Sequence, residues 1–515
     1  MGYLDLEEIW AYPNNQITFA KPSRKTFFAH PLKLLVGAAL FLSLLFYTSI
    51  PDGFIRGFDR DRSFLGVASR DQSDQLDIMK QHDINAKMLH SKSFANRYSV
   101  RAPPSIREID MTRSNGTREG QPVVAINALN PNNLVFVSTR FYPLPSLSPV
   151  GGCFLAYTLD RGQTWVNVTA DYPLGDAPEC GEPQVFSDAN GTFYILNNQV
   201  FPDLESNEAA HPQLSKSVDG GKTWSTPSVT PLHMQGAPKL RIDQVTGKVY
   251  ANGASSWEYP AAISVSSDGG DTWAPFNQVP GPVDVCLDYE IPDLPPVCGF
   301  PGRSIAVHDG ILVSAAEGLE GHPEMYISRN DGVTWTTLPL TDSDGDFVLN
   351  GTGPMLPVSG VGLPSDPTPW VSADPTKTGR FALMVPREYT LEIYVTEDAG
   401  GNFTGPTVIE TPNAQRPAID FGLTGVLGVM WRTNSSGLLD VYSTVSFDFG
   451  RTFATPVKVT RDSVPVGQNG QPGDRASLIA LNGKYAYVAW SDGRDGLLDA
   501  VWAEVPLALF KNETI

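Results

Sequence analysis

The sequence predicts an all-β fold of repeated sheets on three observations: many short Val-, Ile-, Tyr- and Trp-rich runs, abundant Gly (47) and Pro (43) between them, and an octet that recurs. Such runs read as strands, because β-branched and aromatic side chains suit a pleated surface while Gly and Pro break it into turns. Hydrophobic residues at 41% and charged residues at 18% permit a packed core.

The octet stands at 158–165 (TLDRGQTW), 217–224 (SVDGGKTW), 266–273 (SSDGGDTW) and 328–335 (SRNDGVTW), with looser copies at 396–403 (TEDAGGNF) and 446–453 (SFDFGRTF). Its Asp or Asn positions, 160, 219, 268, 330, 398 and 448, lie 49 to 68 residues apart, the length of one four-stranded blade of a β-propeller. The Asp can accept backbone N–H bonds, the Gly permits positive φ and the aromatic packs inward, so the octet is a folding device.

Two strand candidates precede each octet, such as 123–126 and 134–138, or 240–243 and 248–252. A seventh unit lacks the octet but keeps 476–480, 485–490 and 500–505, and its GLLD at 496–499 repeats the GLLD at 437–440. Seven blades follow, with six or eight as alternatives. The last unit is one strand short, and an open propeller would expose a strand edge. Residues 105–111 (SIREIDM) are the expected partner of 500–505, and 507–510 the alternative.

Residues 34–50 (LLVGAALFLSLLFYTSI) carry no charge and are expected to form a single transmembrane signal-anchor helix. A cleaved signal peptide is the alternative, against which stand the 33 residues ahead of the run and the lack of an A-x-A-like site. Basic residues before the run favour a cytoplasmic tail at 1–33, then a polar stem at 51–115 and a lumenal or extracellular propeller at 116–515. Seven N-x-[ST] triplets, at Asn115, Asn167, Asn190, Asn350, Asn402, Asn434 and Asn512, all follow the anchor.

The net charge of −19 disfavours a nucleic-acid partner. No closely spaced Cys pair suggests zinc, and no cofactor or metal is implied. Disulfides are expected instead, Cys286 with Cys298 across a Pro-rich loop and Cys153 with Cys180.

The octet resembles the Asp-box, or BNR repeat, of the sialidase superfamily, and the resemblance covers about residues 116–505. It implies that the octets lie on the face opposite the active site. The opposite end then carries the starts of the first strands, Gln121, Glu182, Lys239, Arg303, Trp370, Arg416 and Arg475. It also carries the ends of the second strands, Arg140, Asn198, Glu258, Glu317, Arg387, Arg432 and Asp492.

Sialidases clamp a substrate carboxylate with three arginines and use a Tyr nucleophile assisted by Glu with an Asp acid/base. By resemblance, Arg303, Arg416 and Arg475 form the clamp, with Glu182 and Arg432 beside it. Tyr389 is then the nucleophile, Glu388 or Glu317 its base and Asp492 the acid/base group. Guanidinium forks suit bidentate carboxylate binding.

The sequence also departs from the family: Gln121-Pro122 stands where F-R-I-P would open the first blade, classical sialidases have six blades, and the clamp falls on blades four, six and seven. The competing reading pairs these arginines with acids of neighbouring blades. The expected function is a membrane-anchored exo-glycosidase acting on acidic sugars. The alternative is a non-catalytic propeller that binds a glycan or glycoprotein. Trp165, Trp224, Trp273 and Trp335 fall in the turn motif and are expected in the core, whereas Trp257, Trp370, Trp431 and Trp490 are candidates for stacking on sugar.

Overall fold

The computed structural model describes residues 102–511 apart from 114–116, 142–151, 170–179, 199–210, 233–237, 255–260, 281–285, 288–296, 299–303, 318–322, 339–368, 388, 412–413, 436–437, 466–477 and 495–497. The expected tail and anchor lie outside the described residues, as does the stem up to residue 101. Among the described residues no helix is long and apolar enough to cross a membrane.

Seven antiparallel sheets follow one another along the chain. Blade 1 runs through Arg118–Ile126, Leu134–Phe141, Cys153–Thr158 and Val166–Asn167, and blade 2 through Gly181–Ser187, Phe193–Asn198, Pro212–Ser217 and Ser228–Val229. Blades 3 to 6 repeat the order, their inner strands being Lys239–Ile242, Ser304–His308, Trp370–Ala373 and Ala414–Phe421. Each inner strand touches the next, and the inner strand of blade 7, Leu478–Leu481, touches that of blade 1. The ring is closed.

Its core lies between sheets. Apolar clusters join blades 2 and 3, 3 and 4, 4 and 5, 5 and 6, and 6 and 7, while one larger cluster spans blades 7, 1 and 2. Trp502 of blade 7 is wholly buried there against Trp165 of the first octet, ring centroids 5.4 Å apart. Burying a side chain of that size stabilises by about 1.5–3 kcal/mol or more. Trp165, Trp224, Trp273 and Trp335 are half-buried and pack against these clusters, as expected of core residues.

Blade 7 takes its outer strand from the N-terminal side. Arg107–Asp110 pairs antiparallel with Asp499–Pro506, Arg107 opposite Glu504 and Asp110 opposite Val501. Glu108 accepts from Arg494 Nη1 at 2.7 Å and from the Arg461 N–H at 2.8 Å, tying the strand to blades 7 and 6. Leu507–Phe510, the alternative, is a short 3-10 helix.

Cys153 and Cys180 are bridged, Cα atoms 5.1 Å apart, linking blade 1 to the start of blade 2. A pair of two-residue antiparallel strands outside the blades, Cys286–Leu287 and Val297–Cys298, sets Cys286 directly opposite Cys298.

Candidate functional site

The octets build one kind of turn. In the first, Asp160 accepts the Thr164 N–H at 2.8 Å and hydroxyl at 2.6 Å, while Thr158 Oγ1 accepts the N–H of Gly162 at 2.9 Å. These bonds, the Thr164 hydroxyl foremost, hold the Asp160 carboxyl down at about 2. The same pattern recurs around Asp219, Asp268, Asp398 and Asp448, and around Asn330 with an amide in place of the carboxylate. The chain is an Asp-box β-propeller. All six boxes join third to fourth strands, so the opposite face of the propeller holds the first-strand starts and second-strand ends.

On that face three inner strands are interrupted in the same way. Their registers shift between Gly120 and Val123 in blade 1, Gly181 and Gln184 in blade 2, and Gln415 and Ala418 in blade 6. Within each bulge sits a residue of positive φ: Gln121 (56°), Glu182 (51°) and Arg416 (49°), each followed by Pro. Non-Gly residues in this region cost on the order of 1–3 kcal/mol, and bulges re-aim side chains near functional sites. The propeller carries this strain three times at one end of its channel.

Gln121 and Glu182 meet there. Gln121 Oε1 accepts from Thr139 Oγ1 at 2.6 Å and from the Glu182 N–H at 2.7 Å, and its Nε2 donates to Glu182 Oε1 at 3.2 Å. The other Glu182 oxygen accepts from Asn198 at 3.4 Å. The bridge at Cys180 lies two residues before Glu182 and anchors its strand. Around the mouth, the Lys239 ammonium sits 4.7 Å over the half-buried Trp370 ring, and Arg416 is half-buried on its bulge.

The second-strand ends are more enclosed. Arg140 contacts Glu119 at 3.3 Å, and Arg387 contacts Glu392 at 3.1 Å, each pair within one blade. Arg432 is wholly buried. Asp492 is also wholly buried, accepting from Trp490 Nε1 at 2.8 Å and from Arg494 through both oxygens at 2.8 and 2.5 Å. Tyr389 is half-buried at the turn between Phe381–Pro386 and Thr390–Thr396, where its carbonyl accepts from the Thr411 N–H at 2.7 Å. Arg303, Arg475 and Glu388 lie outside the described residues, and Glu317 ends the second strand of blade 4 opposite Pro323.

Two tryptophan expectations are corrected: Trp431 and Trp490 are fully buried, packed between sheets, and present no face to a sugar. Trp257 lies outside the described residues, which leaves Trp370. Sequence reasoning treated Gln121 as a departure, yet it is the partner of Glu182. The available signal was the X-Pro pair that opens three inner strands. It also missed Glu119, a buried carboxyl raised by its burial against the pull of Thr117 and Arg140. Two charges on inner strands went unseen too: burial pushes Asp420 of blade 6 up and Arg241 of blade 3 down, each opposed by the other's charge. Among the described residues no cluster of His, Cys, Asp and Glu could hold a metal.

No family model and no curated protein matches the sequence. Solved structures similar in fold include a protein of unknown function from Dyadobacter fermentans (12% identity, 78% of this chain and 99% of that chain, TM-score 0.42). Others are Trypanosoma rangeli sialidase in complex with sialic acid (13% identity, 79% and 60%, TM-score 0.44) and the Hadza microbial sialidase Hz136 (12% identity, 72% and 74%, TM-score 0.41). The aligned part thus spans 60% of the Trypanosoma rangeli chain. The fold assignment rests on the blades and boxes themselves.

Proposed function

We propose that the mouth opposite the Asp-boxes binds an acidic, hydroxyl-rich ligand, a glycan carrying a carboxylate, on a propeller anchored with this domain in the lumen or outside the cell. The observation that carries the reading is the triple bulge that turns Gln121, Glu182 and Arg416 at equivalent positions of three blades. Gln121 and Glu182 offer amide and carboxylate partners for sugar hydroxyls, Arg416 a fork for a carboxylate, and Trp370 with Lys239 an aromatic and a cation. Arg303 and Arg475, which open the inner strands of blades 4 and 7 in sequence, would complete a three-arginine clamp.

Hydrolysis is the second reading, favoured by the half-buried place of Tyr389 at the same end of the propeller. In that reading Tyr389 is the nucleophile, with Glu388 or Glu317 as its base. Asp492 fits the acid role poorly, because Arg494 and Trp490 already occupy its carboxylate. The Cys153–Cys180 bridge supports an oxidising compartment.

Titration with sialyllactose and with lactose tests the binding reading. Binding of the acidic sugar alone, lost in Arg416→Ala with the melting temperature kept, supports it; equal binding of both sugars, or of neither, overturns it. A fluorogenic sialoside separates turnover from binding, since only an enzyme releases the fluorophore and loses that activity in Tyr389→Phe.

A further inference from the structure

Three exposed apolar side chains stand on turns of the Asp-box face of blades 1 and 2: Leu129 is 70% exposed, Leu159 48% and Val218 80%. One turn connects them. Residues 127–133, between the first two strands of blade 1, touch blade 2 through Asn127 Nδ2, which donates to the Gly191 carbonyl at 3.1 Å. Asn133 Nδ2 donates to the carbonyls of Thr158 and Gly220, both at 2.9 Å, in the first and second boxes. Leu129 lies on this turn, Leu159 and Val218 follow the first residues of those boxes, and Asn190 immediately precedes Gly191.

Asn190 is exposed at the turn between Gly181–Ser187 and Phe193–Asn198 and opens the triplet Asn190-Gly191-Thr192. Backbone groups hold it in place: its N–H and that of Thr192 donate to Asp188 Oδ1 at 2.9 and 2.8 Å. Asn402, in the triplet 402–404, is placed differently. It occupies the box position that Thr164, Thr223, Thr272, Thr334 and Thr452 hold elsewhere. Its Nδ2 donates to Asp398 Oδ2 at 2.7 Å, so the amide belongs to the turn.

We propose that Asn190 carries an N-linked glycan that covers the apolar side chains of Leu129, Leu159 and Val218, and that Asn402 is not modified because its amide nitrogen holds the turn. The proposal rests on the lumenal or extracellular placement proposed above. In the step, Asn190 Nδ2 attacks the anomeric carbon of an oligosaccharide carried on a polyprenyl diphosphate. A C–N bond forms, the C–O bond to the diphosphate breaks, the amide proton passes to a base of the cell's transferase, and the lipid diphosphate leaves. A hydrated glycan there stands on the face away from the mouth and keeps these apolar side chains from self-association.

The test is full-length protein made in secretory eukaryotic cells, deglycosylated enzymatically in heavy-oxygen water and mapped by mass spectrometry. Label at position 190 and none at position 402 is expected. Asn190→Gln should then self-associate severalfold more in light scattering, an increase reversed by adding Leu129→Ser and Val218→Ser, while Asn402→Thr leaves the glycan pattern and melting temperature unchanged. Label at position 402, or a monodisperse Asn190→Gln variant, overturns the proposal. Protease protection in intact microsomes separates the two levels: a shielded propeller unlabelled at 190 overturns this proposal alone, whereas a propeller digested from the cytosolic side overturns the topology and this proposal with it.

Discussion

Gln121 and Glu182, side chains from the inner strands of neighbouring blades, are joined by an amide-to-carboxylate bond of 3.2 Å while the same amide oxygen caps the Glu182 N–H at 2.7 Å. Two residues in uncommon backbone conformations thus hold each other. Gln121→Ala strips the acceptor from the Thr139 hydroxyl and leaves the Glu182 N–H only its longer bond to Thr139 Oγ1 at 3.1 Å. It should cost about 1–3 kcal/mol in chemical denaturation and weaken acidic-sugar binding in the same titration.

Ring closure can be tested by what is removed. Deleting residues 105–111 should lower the melting temperature far more than deleting residues 60–90, because only the former takes the outer strand of blade 7. Within that strand Glu108→Ala, which leaves Arg494 short of one carboxylate, should cost about 1.5–3 kcal/mol. Equal melting temperatures for the two deletions would contradict this.

Gly162 and Gly247 share positive φ, 74° and 71°, but a Cβ on Gly162 would stand 2.6 Å from the Trp502 ring while one on Gly247 meets nothing within 4 Å. Gly162→Ala is therefore expected to add a clash of about 1–3 kcal/mol to the strain of about 1–2 kcal/mol that both substitutions share. Denaturant midpoints of the two variants measure the difference directly.

The Asp-boxes set part of the acid response. Asp160 is depressed from 3.8 to about 2 by its bonds to Thr164, so its contribution is present above pH 3.8 and is lost as pH falls through about 2. Asp160→Asn should keep the turn, as Asn330 does in blade 4, yet flatten that part of the stability profile. An unchanged acid leg by circular dichroism would rule this out.

For the covalent links, non-reducing peptide mapping should recover Cys153 with Cys180 and Cys286 with Cys298. Serine at both 153 and 180 should lower stability by about 2–4 kcal/mol and weaken binding at the neighbouring mouth. A wild-type affinity after that change would separate the bridge from the site.

The boxes were legible in sequence because their chemistry is local: an Asp or Asn, a Gly, and a Thr or Asn within five residues set the turn, six times over. The closing strand was legible for a different reason, since counting strands left blade 7 one short and residues 105–111 were the expected partner, with 507–510 as the alternative. The orientation of Trp431 and Trp490 was not legible, because their position at a strand end does not say whether the ring points into the funnel or between sheets. Nor was the Gln121–Glu182 pair, whose partners are 61 residues apart and meet only when two bulges are stacked side by side. The preference for Cys286–Cys298 came from loop size, which is silent on the contact between blades that brings Cys153 to Cys180.

The join between Glu108 and Arg494 spans 386 positions of the chain. A ribosome adding about 5–20 residues per second needs about 20–80 s to cover that distance, during which the first strand has no partner. Blades 1 to 6 can each condense from contacts close in sequence, but the seal waits for residues 494–506 to emerge. Non-local pairing of this kind is slow, so closure of the ring comes after the first six blades, and until then the waiting strand leaves its edge open to wrong partners.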